Sequence, residues 1–423
     1  MAHTIAGNEA GRFFLRLAAR FCAPFCCMAI MASAFSALAQ ERASGPAPAE
    51  AVATPLAKPV PVQANVPGAP IANDPQKDGS VLLPSALPAK DAEQPVPHIA
   101  LLLPLASKSL GKVADALRLG FVAGAAADGK NASPYRVYSA EDEGASLAAQ
   151  YRKAAAEGAS TIIGGVTRDG ANTMARESRL LPTLSLNAPL VSLDSDLPDR
   201  FLYISLSLDV EARLVARMIW GEDLRSVAVV VANNPLAKRV QESFERELLR
   251  LGGEVATQIS FGSDPNDATR VATAMDKIGA KASAVFLAAD PIAARSVRPY
   301  LPTGMPVFAT SFTVDPRAEA IANLDLDNVR FLEMPWFAEQ DHPAVMAYAK
   351  PAQVLPIELE RLYALGIDAW RLGQLIVKTD GARSPPPLDG VTGRITQEGR
   401  QLIRALSSVE VRDGRSQLFR PVQ

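Results

Sequence analysis

Five apolar runs punctuate residues 98–312: "HIALLLPLASKSLG", "STIIGGVTRDG", "SVAVVVANNP", "AVFLAADP" and "MPVFATSF". Each closes on small or turn-forming residues, and helix-like stretches separate them. Runs of Val, Ile, Leu and Ala without polar alternation suit strands buried on both faces, as in a parallel sheet covered by helices. Repeated strand–helix alternation predicts an α/β fold, with any ligand at the carboxyl ends of the strands.

The first lobe opens with a strand at Ile99–Leu103, ended by Pro104. In the following "VADALRLGFVAGAAA", Val113, Leu117 and Phe121 share one helical face by four-residue spacing. "YRVYSA", "STIIGGV", "PTLSLNAP" and "LVSLDSD" read as further strands, and "GASLAAQYRKAAAEGA" as a helix stopped at Gly158. "RFLYISLSLDVEARLVARMIW" passes from strand to helix at about Ser205–Asp209, with Asp209 as N-cap and Glu211 placed well for the first turn. The inter-lobe crossover is placed there.

The alternation then repeats through "SVAVVVA", "EVATQISF", "SAVFLAA" and "MPVFATS", with helices between. "NVRFLEMPW" recrosses, "PIELERLYALGIDAWRLGQLIV" forms a long amphipathic helix, and a Gly-turned hairpin around Thr396–Gly399 precedes an edge strand. The expected organisation is a two-lobed clamp over 97–423. Its first lobe takes about 97–205 plus 340–423 and its second about 206–339, each a mostly parallel sheet flanked by helices.

Composition changes the picture upstream. Residues 1–39 carry Arg12, Arg16 and Arg20, then "FCAPFCCMAIMASAFSA" and the small-x-small triplet Ala37-Leu38-Ala39, the pattern of a cleaved secretory signal. Residues 40–96 are rich in Pro and Ala; with Pro97 they hold twelve of the chain's 33 prolines, which predicts an extended, disordered tether. Cys22, Cys26 and Cys27 all fall inside the signal, so cleavage leaves no thiol for disulfides, metals or nucleophilic chemistry. It also leaves 40 basic against 44 acidic residues with no basic block, which argues against nucleic acid as a partner. A soluble periplasmic product follows; neither Cys26 nor Cys27 has the neighbours that lipidation needs, so attachment to the outer membrane stays open.

The chemical inventory is thin. Beyond the signal only His98 and His342 remain, and no G-x-S-x-G elbow is present, so no catalytic residues are assigned. Glu141, Asp142 and Glu143 lack calcium-loop spacing and read as a solvated acidic run at a helix entry, so no metal site is assigned. "GGVTRDGA" matches neither nucleotide-binding glycine pattern, and no cofactor is assigned. Small-ligand binding stays open at the strand ends, through Ser107, Ser109, Gly165, Thr167, Thr310 and Ser311. Ordinary caps and turns explain the same residue types.

The ordered segments "IALLLPL", "EGASTIIGGVT", "SLNAP", "AVFLAAD", "PVFATS", "VRFLEMPW", "RLYALGIDAWRL" and "LDGVTGRI" resemble the LppC family of penicillin-binding protein activators over about 97–420. "MPW" followed by the last two segments is the specific part of the match. The resemblance implies a type I periplasmic-binding-protein-like clamp. It also implies a non-enzymatic regulator that contacts a bifunctional peptidoglycan synthase and stimulates its transpeptidase. The chain departs from the family pattern in having a short Pro/Ala tether where a helical-repeat domain is expected. The alternative from clamp architecture alone is a periplasmic receptor for an amino acid or similar small ligand.

Overall fold

The computed structural model describes residues 95–179, 181–190, 196–379 and 385–420. The expected signal, nearly all of the tether and most of the expected strand "LVSLDSD" lie outside these residues. Everything described belongs to one compact unit, Ala86–Gln423.

The chain first alternates β1 (His98–Leu103), α1 (Gly111–Asp128), β2 (Tyr135–Ser139), α2 (Ala145–Ala156), β3 (Ala159–Gly164), α3 (Arg168–Glu177), β4 (Thr183–Ser185) and β5 (Phe201–Ile204). Crossing on α4 (Leu208–Gly221), it builds β6 (Ser226–Ala232), α5 (Pro235–Leu251), β7 (Glu254–Phe261), α6 (Asp267–Ile278) and β8 (Ala284–Ala288). The second lobe continues through α7 (Pro291–Val297), β9 (Val307–Ala309), α8 (Ala320–Asn323) and β10 (Val329–Glu333). Short helices α9 (Pro335–Ala338) and α10 (Pro343–Met346) lead to α11 (Ile357–Lys378), then to β11 (Leu388–Gly390), β12 (Gly393–Glu398), β13 (Gln401–Ala405), β14 (Ser407–Arg412) and β15 (Arg415–Leu418).

Among the described residues these strands form two mixed sheets, ordered β11-β12-β13-β5-β4-β3-β1-β2 and β15-β14-β10-β9-β8-β6-β7. The central strands of both are parallel, and the hairpins at one end are antiparallel. The two-lobed α/β clamp read from the sequence is therefore the observed fold. Strand β1 shows why its run lacks alternation. Ile99, Leu101 and Leu103 pack with Leu117, Phe121 and Trp370 on one face, while Ala100 and Leu102 pack with Leu147, Tyr151 and Met174 on the other.

Two local expectations change. Everything after residue 340 was expected in the first lobe, but β14 hydrogen-bonds antiparallel to β10 and places the tail in the second sheet. Leu406 alone separates β13 in one sheet from β14 in the other. The N-cap of α4 is Ser207, whose hydroxyl accepts from the Asp209 N–H at 3.2 Å. That leaves the Asp209 carboxylate to pair with Arg168 and Arg239.

The segments that carried the family resemblance turn out to be packing devices. Trp336 and Trp370 are fully buried. Trp336 sits with Met334, Tyr363, Ile367 and Val391 in a cluster at the junction of the lobes. Helices α1 and α11 approach so closely that a Cβ on Gly366 would lie 2.2 Å from the Leu117 carbonyl oxygen, and one on Gly120 1.8 Å from that of Tyr363.

Candidate functional site

A cavity of about 270 Å³ opens between the lobes at the carboxyl ends of β3, β4 and β5. Leu117, Leu186, Leu362 and Leu365 give it an apolar floor, and Arg168 and Arg239 stand at its polar edge. Position and shape are those of a ligand cleft.

Its polar groups already have partners. Arg168 on α3 donates to Asp209 at 2.8 Å, and Arg239 on α5 donates to the other oxygen of the same carboxylate at 3.0 Å. One aspartate thus ties the first lobe to the second across the cavity. The Asn187 amide donates to the Val166 carbonyl at 2.8 Å, and the Ser205 hydroxyl accepts from the Ser207 N–H at 3.0 Å.

The strand ends are filled in the same manner. After β3, Gly165 adopts φ +70, and the chain turns into α3 with the Val166 and Thr167 N–H groups converging. Such a turn is a ready anion seat. Both N–H groups donate to Glu143, each at 2.6 Å. The expected solvated acidic run is thereby corrected: Glu141 and Asp142 are exposed, but Glu143 is buried and serves as an internal anion. Burial pushes its carboxyl above the ordinary range, against the opposing hydrogen bonds from Thr167 and Val166. In the second lobe Glu211 plays the same part, accepting from the Ser311 N–H and from the Ser311 hydroxyl at 2.9 Å. Burial pushes the Glu211 carboxyl up to about 7.

The candidate residues therefore scatter. Ser107 and Ser109 lie 3.4 Å apart in the turn before α1 and do not line the cavity. Gly165 is buried below the β3 end, and Thr167 caps α3, accepting from the Gly170 N–H at 3.1 Å. Thr310 and Ser311 are buried, with Ser311 turned to Glu211.

Sequence reading missed the carboxylates that take up these donors and the arginines at the cavity edge. One signal was present: Glu211 shares a helical face with Val215 and Ile219, at the same four-residue spacing, and all three are buried. A charge on an apolar stripe announces a buried partner. Asp368 lies likewise between Ala364 and Leu372; it accepts from the Thr392 hydroxyl at 2.6 Å and the Val391 N–H at 3.0 Å.

Behind the cleft these groups join a buried ionic junction. Arg361 on α11 grips Glu333 of β10 bidentately at 2.6 and 2.7 Å. Arg404 of β13 donates to the carbonyls of Ser205 and Thr392, and burial lowers its pKa to about 10. His98 contacts the Val96 carbonyl and the Tyr138 hydroxyl at 2.8 and 2.9 Å, and His342 caps α10. Among the described residues no group of three or more His, Cys, Asp or Glu is placed to hold a metal ion, and no helix is long and apolar enough to cross a membrane.

The model of the family described as "LppC putative lipoprotein" matches residues 71–414. This chain belongs to the LppC family. Its relatives include the penicillin-binding protein activator LpoA of Edwardsiella ictaluri, 27% identical over 254 residues that cover 51% of this chain and 37% of that one. The LppC chain here thus spans less than half the length of the curated relatives it matches. Among solved structures it is similar to the C-domain of Haemophilus influenzae LpoA, a regulator of PBP1A, with TM-score 0.61 and 20% identity over 76% of this chain and 99% of that one. It is also similar to a Chromobacterium violaceum protein described as a "putative branched-chain amino acid ABC transporter", with TM-score 0.62 and 34% identity over 74% and 98%. The C-domain of a PBP1A regulator and a protein described as a putative ABC transporter therefore share the fold of this LppC protein.

Proposed function

We propose that this LppC protein is a periplasmic regulator of cell-wall synthesis that binds a bifunctional penicillin-binding protein and stimulates its transpeptidase by contact, with no reaction of its own. The observation that carries the reading is that donors at the strand ends and at the cavity edge already pair with carboxylates of the same chain. Glu143 takes the Val166 and Thr167 amides of the first lobe, Glu211 takes the Ser311 amide and hydroxyl of the second, and Asp209 takes both arginines at the mouth. A receptor for a small anion needs those donors free, because a solute has to displace an intramolecular carboxylate held at high effective concentration. The relatives named as penicillin-binding protein activators support the same reading.

Purified synthase, assayed for peptide cross-linking with and without this protein, tests the proposal. Stimulation together with co-purification is the expected outcome; neither would sink it. The receptor reading keeps one observation in its favour, the apolar floor of the remaining cavity. A solute at a hundred times its Kd raises unfolding free energy by about 2.7 kcal/mol, so a thermal-shift panel of amino acids separates the two. The regulator reading expects a flat panel.

A further inference from the structure

Two arginine–carboxylate–arginine triads lie in register along the parallel helices α4 and α5. In the first, Asp209 is flanked by Arg168 and Arg239. In the second, Glu247 accepts from Arg217 at 2.8 Å and from Arg250 at 2.7 Å. The pairings Asp209–Arg239 and Arg217–Glu247 repeat after two helical turns on both helices, which sets the triads roughly 12 Å apart.

Within each triad the carboxylate is covered and the arginines are not. The Asp209 and Glu247 side chains are 11% and 5% exposed, against 47% and 52% for Arg168 and Arg239 and 45% and 61% for Arg217 and Arg250. Hydrogen bonds from Arg250 and then Arg217 hold Glu247 down to about 2, so that triad keeps a net single positive charge at any physiological pH. A single arginine suffices to neutralise each carboxylate; the second adds uncompensated charge. Each guanidinium is held in a fixed orientation by its buried partner, which lowers the entropic cost of engaging a further anion. Arg213, one turn along α4 from Asp209, continues the line, and exposed Glu242 on α5 interrupts it.

We propose that the α4–α5 ridge is a docking surface for an acidic protein segment whose carboxylates span the two triads. Planar, oriented guanidiniums at fixed spacing match carboxylates bidentately. A membrane surface is the poorer occupant, because lipid-binding patches use dense Lys/Arg clusters, and this ridge is interrupted by Glu242. The proposal deepens the regulator reading by naming a contact surface, and the first arm of its test stands without that reading.

The double variant Arg239→Gln, Arg250→Gln removes one arginine from each triad while leaving Asp209 with Arg168 and Glu247 with Arg217, so no buried charge is orphaned. The full chain is titrated by fluorescence anisotropy with a labelled peptide of alternating Glu and Ala, and with its Gln counterpart. It is also sedimented with vesicles of phosphatidylethanolamine and phosphatidylglycerol. Salt-sensitive binding of the Glu peptide alone is expected, weakened roughly tenfold in the double variant, whose melting temperature falls by only a few degrees and whose unfolding stays cooperative. Equal binding by both proteins, no binding of the peptide, or binding to vesicles without peptide binding overturns the proposal. In the second arm the double variant weakens capture of the purified synthase by a similar factor, and undiminished capture overturns the ridge as the contact surface. If the unaltered chain captures no synthase, the regulator reading falls while the peptide arm still decides the ridge.

Discussion

Replacing Glu211 with Gln isolates the titration of one buried carboxyl. Its folded pKa is raised from 4.5 to about 7, chiefly by burial, with Ser311 and Arg361 opposing the shift and Glu333 adding to it. Between those two values the folded chain holds a proton that the unfolded chain has released. Stability therefore falls as pH rises through this window and levels off above it. At about 1.4 kcal/mol per pH unit the full loss is roughly 3 kcal/mol. Gln keeps a carbonyl oxygen for the Ser311 N–H and cannot ionise, so it removes that slope. Denaturant unfolding at about pH 5 and about pH 8 measures the effect as a difference between variant and parent, which cancels the other titrating groups. The variant should gain about 3 kcal/mol relative to the parent across that interval. Parallel stability curves for the two proteins would show that the carboxyl is ionised throughout and that Arg361 and Arg404 offset its burial.

Replacing Glu143 with Ala strands the Val166 and Thr167 N–H groups and should cost about 3 kcal/mol; added acetate should restore part of the loss, read as a rise in melting temperature that chloride does not produce. Asp209→Asn releases Arg168 and Arg239, and because both arginines are half exposed the cost should be only about 1 kcal/mol. Its clearer sign is faster amide exchange at the start of α4, and unchanged exchange there would count against the tie between the lobes. Gly366→Ala forces a Cβ onto the Leu117 carbonyl and should cost 3 kcal/mol or more in a urea titration; a loss below about 1 kcal/mol would mean that α1 and α11 separate easily.

The fold was legible because its signal is repetitive. Runs such as "SVAVVVA" lie buried on both faces, and their order with the intervening helices leaves few topologies open. The tail was less legible: β13 and β14 differ little in pattern, and only long-range pairing to β5 and β10 assigns them to different sheets. The site was hardest to read. Ser107 and Thr310 are residue types that turns select whether or not a ligand binds. The residues that take up the strand-end donors are charged side chains, whose burial depends on partners far away in sequence, as with Glu211 and Ser311. Only a charge placed on an apolar helical stripe betrays such a partner in advance.

The return of β11–β13 to the first sheet and of β14–β15 to the second has a consequence for the order in which the molecule is made. Neither sheet has its full set of strands until residues 388–418 have left the ribosome, since β5 waits for β13 and β10 waits for β14. Pairings this distant in sequence form slowly. Until those last strands are made, the β5 and β10 edges stand open to other partners, the hazard that unpaired strand edges carry.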